Sequence, residues 1–200
     1  EPIYYVPIIP MVLINGIKGI GTGFSTDIMS YNPVQIIEFL ENLLCGVDIE
    51  DCGEIQPFYR GFLGTINKLD NKRYIIKGQY KIINDDKVLI TELPIGTWTQ
   101  DYKEYIESII DSKFKTEKKR ESVGIKEYID MSTDTSVEFT ITFNTGVVKK
   151  LLSQEYENGV NGLEKLLKLY SLHSVSNMHL FDKNERLKKY DTPETIILEY

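Results

Sequence analysis

The feature that most restricts the fold of this chain is a cluster of four glycines within eight residues, from Gly16 to Gly23. Glycine weakens helix and strand interiors but adopts the positive φ angles of tight turns without steric cost. The cluster therefore predicts a tight turn between two packed strands. A P-loop is excluded because it requires a lysine after its last glycine, where Phe24 stands, and no helix begins directly behind the cluster as a dinucleotide-binding fold requires.

Ile20 stands between two glycines of this cluster, Gly19 and Gly21. The turn alone does not explain an isoleucine there, because its neighbours have no side chains to cover it. A bare apolar side chain at the tip of a loop can act as a wedge between base pairs. The alternative is that Ile20 packs in the protein core. The GxxG pattern over residues 16–19 also fits the loop with which KH modules clamp a nucleic-acid backbone.

Hydrophobic periodicity predicts helices and strands that occur in clusters, which is typical of an α+β fold. Helices are predicted over 33–45 after an Asn32-Pro33-Val34-Gln35 cap, behind a Thr97–Gln100 capping box, near 145–155, over 162–170 with an Asn161–Glu164 cap, and after Thr192-Pro193. Strands are predicted over 64–66, 74–83, 88–93, 137–143, 178–181 and 186–190, with a hairpin turn at 84–87. The buried faces of the first two helices are predicted as Ile36, Ile37, Leu40, Leu43 and Leu44, and as Trp98, Tyr102, Tyr105, Ile106 and Ile109.

Both ends of the chain are typical of a segment of a longer protein. The chain begins with Glu1-Pro2 rather than Met, and the helix predicted after Thr192 has no stop signal. The uncharged run over residues 3–14 is too short to span a bilayer, which needs about 20 apolar residues. It also lacks the basic flank of a signal peptide. No membrane partner is expected.

Charge and cysteine content limit the classes of function. Lys and Arg total 23 against 30 Asp and Glu, so the net charge is −7 and any nucleic-acid contact is expected to be local. The basic runs at 113–126 and 183–189 are candidate phosphate contacts. Cys45 and Cys52 have no histidine near them, which argues against a disulfide scaffold or a zinc site and favours a reducing, intracellular compartment.

The residues alone predict no complete active site. Arg73-Tyr74 has the composition of a tyrosine nucleophile with a stabilising arginine, but Tyr74 lies in a β-rich run where aromatic residues usually pack. Asp85-Asp86 falls in the predicted hairpin turn, where aspartate is favoured for local hydrogen bonds rather than for metal binding. No catalytic residue and no metal ligand is therefore predicted in this chain.

From YVPIIPMVLINGIKGIGTG onward the sequence resembles the type IIA DNA topoisomerases, in particular the eukaryotic-type enzymes. The resemblance continues in order through YRGF, GTI, ITELP, TWT, NM and LKKY, and so covers the whole chain. It implies a part of the DNA breakage–reunion core: the end of a winged-helix domain over 1–26, a mixed sheet-and-helix tower domain over 27–190, and the start of a coiled-coil arm helix over 191–200.

The same resemblance implies that this segment binds and bends DNA. Ile20 matches the family residue that inserts into the bent duplex, and the segment 168–177 matches a second DNA-contacting stretch. The DNA-binding residues that the resemblance predicts are Lys18, Gly19, Gly21, Thr22, Lys168, Ser171, Ser174, Ser176 and Asn177.

The family resemblance places the nucleophilic tyrosine, the Mg²⁺-binding carboxylates and the ATPase domain upstream of Glu1. The segment itself is therefore expected to bind no cofactor, whereas Mg²⁺ and ATP serve the parent enzyme. The expected partners are double-stranded DNA and, in the parent enzyme, a second copy of the chain.

Two questions stay open at the level of sequence. Frequent Ile, Lys, Asn and Tyr are typical of an AT-rich genome, which fits a large DNA virus as well as a cell. The expected location is accordingly the nucleus for a cellular protein, and the host cytoplasm or nucleus for a viral one. The alternative function is a free-standing nucleic-acid-binding adaptor that uses the GxxG loop, although the negative net charge counts against it.

Overall fold

The structure is a computed structural model that describes residues 6–111 and 124–200, and it has the α+β fold that the sequence predicts. The helices are α1 (Met11–Asn15), α2 (Pro33–Leu44), α3 (Thr99–Asp111), α4 (Val147–Leu152), α5 (Gly162–Leu166) and α6 (Pro193–Glu199). The strands are β1 (Ile17–Gly21), β2 (Phe24–Ile28), β3 (Thr65–Asp70), β4 (Arg73–Lys77), β5 (Gln79–Asn84), β6 (Lys87–Glu92), β7 (Ile125–Asp130), β8 (Phe139–Phe143), β9 (Glu155–Tyr156), β10 (Val160–Asn161), β11 (Tyr170–Ser174), β12 (Met178–Phe181) and β13 (Leu187–Tyr190).

Contacts divide the chain into two compact units. The first unit comprises Glu1–Gly61 and Ser174–Tyr200, and the second comprises Phe62–His173. The family domain borders after residues 26 and 190 remain a prediction.

The first unit contains two antiparallel hairpins, β1–β2 and β12–β13, together with α1, α2 and α6. Asn32 caps α2 by accepting a hydrogen bond from the Val34 N–H, as predicted, and Pro33 occupies the first turn. The predicted capping-box role of Gln35 is wrong, because its Oε1 accepts a hydrogen bond from the Gln56 N–H instead.

The buried face of α2 differs in part from the predicted stripe. Ile36 and Phe39 are buried, whereas Ile37 is 40% exposed and Leu44 is 87% exposed. Both exposed residues lie roughly 80–100° around the helix from Ile36, since each residue advances the helix by about 100°. Phe39 lies closer to the Ile36 face and is buried there.

The second unit is built on the antiparallel four-stranded sheet β5-β6-β8-β7. The apolar positions of the alternation predicted for β8 are confirmed, because Phe139 and Ile141 are fully buried in its core. Thr142, predicted on the opposite face, is buried as well, with 8% of its surface exposed. The hairpin predicted at 84–87 joins β5 to β6. The core side chains are Val88, Ile90, Leu93, Tyr102, Ile106, Ile125, Phe139, Ile141, Phe143, Val148, Leu163, Leu167 and Leu169.

The single strand predicted over 74–83 is divided at Gly78. Its first half, β4, pairs in the sheet β11-β4-β3, and its second half, β5, is an edge of the four-stranded sheet. A Cβ atom at Gly78 would collide with the backbone carbonyl oxygen of Glu92, and the Gly78 N–H donates to the Leu169 carbonyl at 2.9 Å. Only glycine fits this crossing point between two sheets.

The start of α3 also differs from the prediction. The Thr97 N–H donates to the Pro94 carbonyl and the Gln100 amide donates to Glu104, so the predicted capping box does not form. Trp98 precedes the helix and is 75% exposed rather than buried. The rest of the predicted face is confirmed, because Tyr102 and Ile106 are buried.

Three further predictions on helix starts and hairpins are confirmed. Asn161 and Glu164 form a reciprocal capping box at the start of α5, and Thr192 caps α6. The last predicted hairpin is β12–β13.

Candidate nucleic-acid interface

The glycine cluster forms the hairpin β1–β2, in which Ile17 pairs with Ile28 and Gly21 with Phe24. The turn consists of Thr22 and Gly23, and Gly23 adopts a φ of +87°, a conformation that L side chains rarely take. The predicted glycine turn between two strands is therefore confirmed. The KH-type interpretation of residues 16–19 is wrong, because Ile17–Gly21 is a strand and not a loop.

Two glycines of β1 have different surroundings. A Cβ atom at Gly21 would lie 2.7 Å from Cζ of Phe24, because the Phe24 ring rests against the Gly21 backbone. Nothing lies within 4 Å of the corresponding position at Gly19. A side chain at position 21 would therefore displace the Phe24 ring, whereas position 19 has open space.

Ile20 lies between these glycines and is directly opposite Ser25 of β2. Its side chain is 94% exposed. The alternative that Ile20 packs in the protein core is wrong. A single exposed isoleucine is common on protein surfaces, so its meaning depends on how rigidly the hairpin is held.

The hairpin is held from one side by three alternate residues, Asn177, His179 and Phe181, which we call the β12 clamp. The Asn177 amide donates to Ser25 Oγ at 2.8 Å, and the Asn177 carbonyl accepts from the Asp27 N–H at 2.8 Å. The Asn177 Oδ1 also lies 3.0 Å from His179 Nδ1. Ser25, which faces Ile20 across the hairpin, is thus hydrogen-bonded to the clamp.

The other two members of the β12 clamp contact neighbouring positions of β2. The His179 N–H donates to Thr26 Oγ1 at 3.2 Å. The rings of Phe181 and Phe24 meet edge to face with centroids 6.3 Å apart, a favourable aromatic geometry. Sequence reasoning missed His179 and Phe181, although their positions two and four residues after Asn177 are the signal of one strand face.

The polar side chains predicted around Ile20 are exposed. Lys18 lies across the hairpin from Asp27, and its ammonium is 3.6 Å from that carboxylate. Thr22 is exposed in the turn. Ser174 and Ser176 are exposed on either side of the buried Val175, and their hydroxyl oxygens lie 2.8 Å apart. The hairpin residues, the two serines and Asn177 thus all belong to the first unit.

The remaining two predicted DNA-binding residues, Lys168 and Ser171, belong to the second unit. Lys168 is exposed two residues after the end of α5, and its ammonium lies 3.9 Å from the centroid of the Tyr105 ring. Ser171 is half-buried in β11.

The remaining candidates from the sequence are the Arg73-Tyr74 pair and the two basic runs. Tyr74 is only 5% exposed in β4, and Arg73 is paired with Asp70 at 2.7 Å. Within the basic run 113–126, residues 113–123 lie outside the described residues. In the run 183–189, Lys188 is paired with Glu199.

Neither a metal centre nor a membrane span is evident in the parts of the chain that the structure describes. No three His, Cys, Asp or Glu side chains in residues 6–111 and 124–200 are grouped so that they could hold a metal ion. None of the helices in the same ranges has the length and apolar character needed to cross a membrane.

Comparison with known proteins decides the family. The model of the family of DNA gyrase and topoisomerase IV A subunits matches residues 1–200. The chain belongs to this family. Among curated topoisomerase relatives, DNA topoisomerase 2 of Bombyx mori is 40% identical over the whole chain, and DNA topoisomerase 2 of Acanthamoeba polyphaga mimivirus is 32% identical over an alignment of 250 residues.

A solved topoisomerase structure shares the fold of this segment. The crystal structure of the Plasmodium falciparum topoisomerase II DNA-binding, cleavage and re-ligation domain matches all of the chain with a TM-score of 0.84 and 37% identity. The chain spans 25% of that solved chain, 12% of the Bombyx mori relative and 19% of the mimivirus relative. The resemblance to eukaryotic-type topoisomerase II is thereby confirmed for this segment.

Proposed function

We propose that this chain is the DNA-binding and DNA-bending part of the breakage–reunion core of an ATP-dependent type II DNA topoisomerase, which passes one duplex through a transient double-strand break in another. The observation that carries the proposal is the 94% exposed side chain of Ile20 on a hairpin that is held by the β12 clamp. The names of the related proteins support the same function.

The physical role of Ile20 follows from its surroundings. Opening a base step costs a few kcal/mol, which must be offset by apolar contact within the step and by further contacts to the bent duplex. Gly19 and Gly21 carry no side chains that would keep the backbone away from the bases. The clamp holds β2, the strand paired with Ile20, so little backbone ordering entropy of the hairpin remains to be lost on binding.

Contacts to the sugar–phosphate backbone are assigned to the exposed polar groups of the first unit. Lys18 supplies an ammonium, and Thr22, Ser174 and Ser176 supply hydroxyl donors. Such contacts orient a protein on the duplex without reading its sequence. Asn177 is assigned a positioning role in addition, since its amide already binds Ser25 opposite Ile20.

The bond-breaking chemistry is assigned to other parts of the parent enzyme. The described residues hold no group of His, Cys, Asp or Glu side chains suited to a metal ion, and the Mg²⁺ site is assigned to those other parts as well. The same proposal includes ATP use by the parent enzyme and pairing with a second copy. It also includes the division into winged-helix, tower and coiled-coil segments, and an intracellular location, which is the nucleus for a cellular protein. The free-standing adaptor is not favoured, because the residues of its GxxG loop form β1.

The decisive test is Ile20→Ala in the topoisomerase that contains this chain. The substitution removes three carbons from the wedge, worth about 2 kcal/mol at roughly 0.8 kcal/mol per buried methylene. We expect the bent population, measured by fluorescence transfer between labelled duplex ends, to fall more than tenfold. The thermal midpoint should stay nearly unchanged, because substitutions of exposed side chains usually alter stability by less than about 0.5 kcal/mol.

Leu44→Ala is the matched control, because Leu44 is an equally apolar and exposed side chain at the end of α2. It should change neither the bend angle nor the thermal midpoint. Bending that survives Ile20→Ala would refute the proposed role of this residue.

A further inference from the structure

A groove of about 550 Å³ lies within the second unit. Its walls come from the start of α3, the end of α5 and strand β11. The polar and charged side chains that line it besides tyrosines are Thr97, Asp101, Lys165, Lys168 and Ser171. The side chains that line this groove therefore carry two positive charges and one negative charge.

Both lysines of the groove rest on aromatic rings. The Lys165 ammonium lies 3.7 Å from the centroid of the Tyr156 ring, and the Lys168 ammonium lies 3.9 Å from that of Tyr105. Tyr105 is itself fixed, because its hydroxyl donates to the Leu166 carbonyl at 2.8 Å. A cation–π contact restricts a long, flexible side chain while the ammonium keeps its outer hydrogen-bond donors. Both positive charges are thus partly ordered before any ligand arrives.

The backbone at Lys168 adds an independent observation. Lys168 has a φ of +49°, in the left-handed region that glycine normally occupies after a helix. The Leu169 N–H donates to the Glu164 carbonyl at 2.9 Å, which closes the usual helix-ending turn around this position. A non-glycine residue there costs on the order of 1 kcal/mol. Lysine at a position that favours glycine points to a role for its side chain.

We propose that Lys165, with Tyr156 as the residue that positions its ammonium group, extends the DNA contacts expected at Lys168 and Ser171 into a phosphate-binding surface for duplex DNA in the second unit. An ammonium binds phosphate as a point charge, irrespective of base sequence. The hydroxyls of Ser171 and Thr97 in the same groove are further phosphate donors. This inference rests on the proposed function and extends it to Lys165 and its aromatic partner.

The test is the salt dependence of binding to a short fluorescent duplex, measured by anisotropy over a series of KCl concentrations. Each lysine–phosphate contact contributes about −0.9 to the slope of log K against log salt. Lys165→Gln should therefore make the slope shallower by about 0.9 and weaken binding at low salt. Lys149→Gln is the matched control, because the exposed Lys149 is paired with Asp85 at 3.0 Å in the same unit; its slope should equal that of the parent protein.

The variant Tyr156→Leu tests the positioning of the Lys165 ammonium separately from its charge. Lys165 keeps its ammonium in this variant but loses the ring beneath it, so the affinity should fall while the salt slope stays the same. A slope that is unchanged in Lys165→Gln would overturn the proposal. The proposal would also be overturned if Lys165→Gln lost binding to polyglutamate but still bound the duplex as the parent protein does. The surface would then be suited to an acidic protein segment rather than to DNA.

The bend angle distinguishes this proposal from the proposed function. If Lys165→Gln makes the salt slope shallower but the parent protein leaves the duplex straight, the phosphate-binding surface is supported and the wedge role of Ile20 is refuted. If the parent protein bends the duplex but Lys165→Gln leaves the salt slope unchanged, only the phosphate-binding surface is refuted.

Discussion

At Gly21 the aromatic ring of Phe24 occupies the space that a side chain would need. The same ring meets Phe181 of the β12 clamp, so it cannot move away without losing that contact. Two positions earlier, Gly19 faces open space, although both glycines lie in the same strand and flank the same isoleucine. The need for glycine is therefore set by one packing contact rather than by the motif.

Gly21→Ala should lower the free energy of unfolding by about 1–3 kcal/mol, the usual cost of overpacking, because the methyl group would displace the Phe24 ring. Gly19→Ala should be neutral or should stabilise the hairpin by up to about 1 kcal/mol, since alanine loses less backbone freedom than glycine on folding. The shift of the urea midpoint at constant m-value measures both effects. Equal effects of the two substitutions would contradict the observed packing of Phe24.

At the scale of elements, one carboxylate connects α6 to the hairpin β12–β13. Glu199 of α6 accepts hydrogen bonds from Lys188 and, at 2.9 Å, from the Tyr190 hydroxyl. These two hydrogen bonds lower the pKa of Glu199. Burial, followed by the hydrogen bond to Glu199, raises the pKa of Tyr190 from 10.0 to about 12. The neutral hydroxyl of Tyr190 therefore contributes to holding helix and hairpin together.

The raised pKa of Tyr190 predicts a stability change in alkali. In the unfolded chain tyrosine loses its proton near pH 10, whereas in the folded chain Tyr190 keeps it to about pH 12. The contribution of the protonated hydroxyl is therefore complete below pH 10 and is lost as the pH rises to about 12. Tyr190→Phe should be less stable than the parent protein at neutral pH, and this difference should shrink between pH 10 and 12. Urea unfolding at several pH values measures it; a difference that stays constant would contradict the assigned hydrogen bond.

At the scale of the whole molecule, the sequence contains one Arg-Tyr pair that has the composition of a cleavage site, and the fold buries the tyrosine of this pair. Tyr74 is 5% exposed in β4, where it pairs with Lys68 of β3. A buried strand tyrosine cannot align with a phosphodiester bond for attack, which requires reacting atoms within about 3–3.5 Å.

We therefore expect the 200-residue chain, incubated with supercoiled plasmid, Mg²⁺ and ATP, to leave the distribution of topoisomers unchanged. Agarose gel electrophoresis measures this outcome, with the complete parent enzyme as the positive control. Relaxation by the chain that disappears in Tyr74→Phe would contradict the packing role of this tyrosine.

Most elements were predictable because their signals are local. The caps at Asn32, Asn161 and Thr192 and the alternation along β8 depend on residues within one or two turns of each other. Two of the failures arose where residues far apart in the sequence meet. Gln35 binds the backbone at Gln56, and Gly78 meets Glu92 where the predicted strand divides between two sheets.

The sequence by itself determined the family, the α+β class and the glycine turn, because ordered motifs and short-range periodicity carry that information. The tertiary structure alone decided that Ile20 is exposed, that Asn177, His179 and Phe181 hold its hairpin, and that Lys165 and Lys168 rest on tyrosine rings. Asn177 and Ser25 are separated by 152 positions along the chain. Contacts over such distances depend on how the whole chain packs, and no local pattern of residues encodes them.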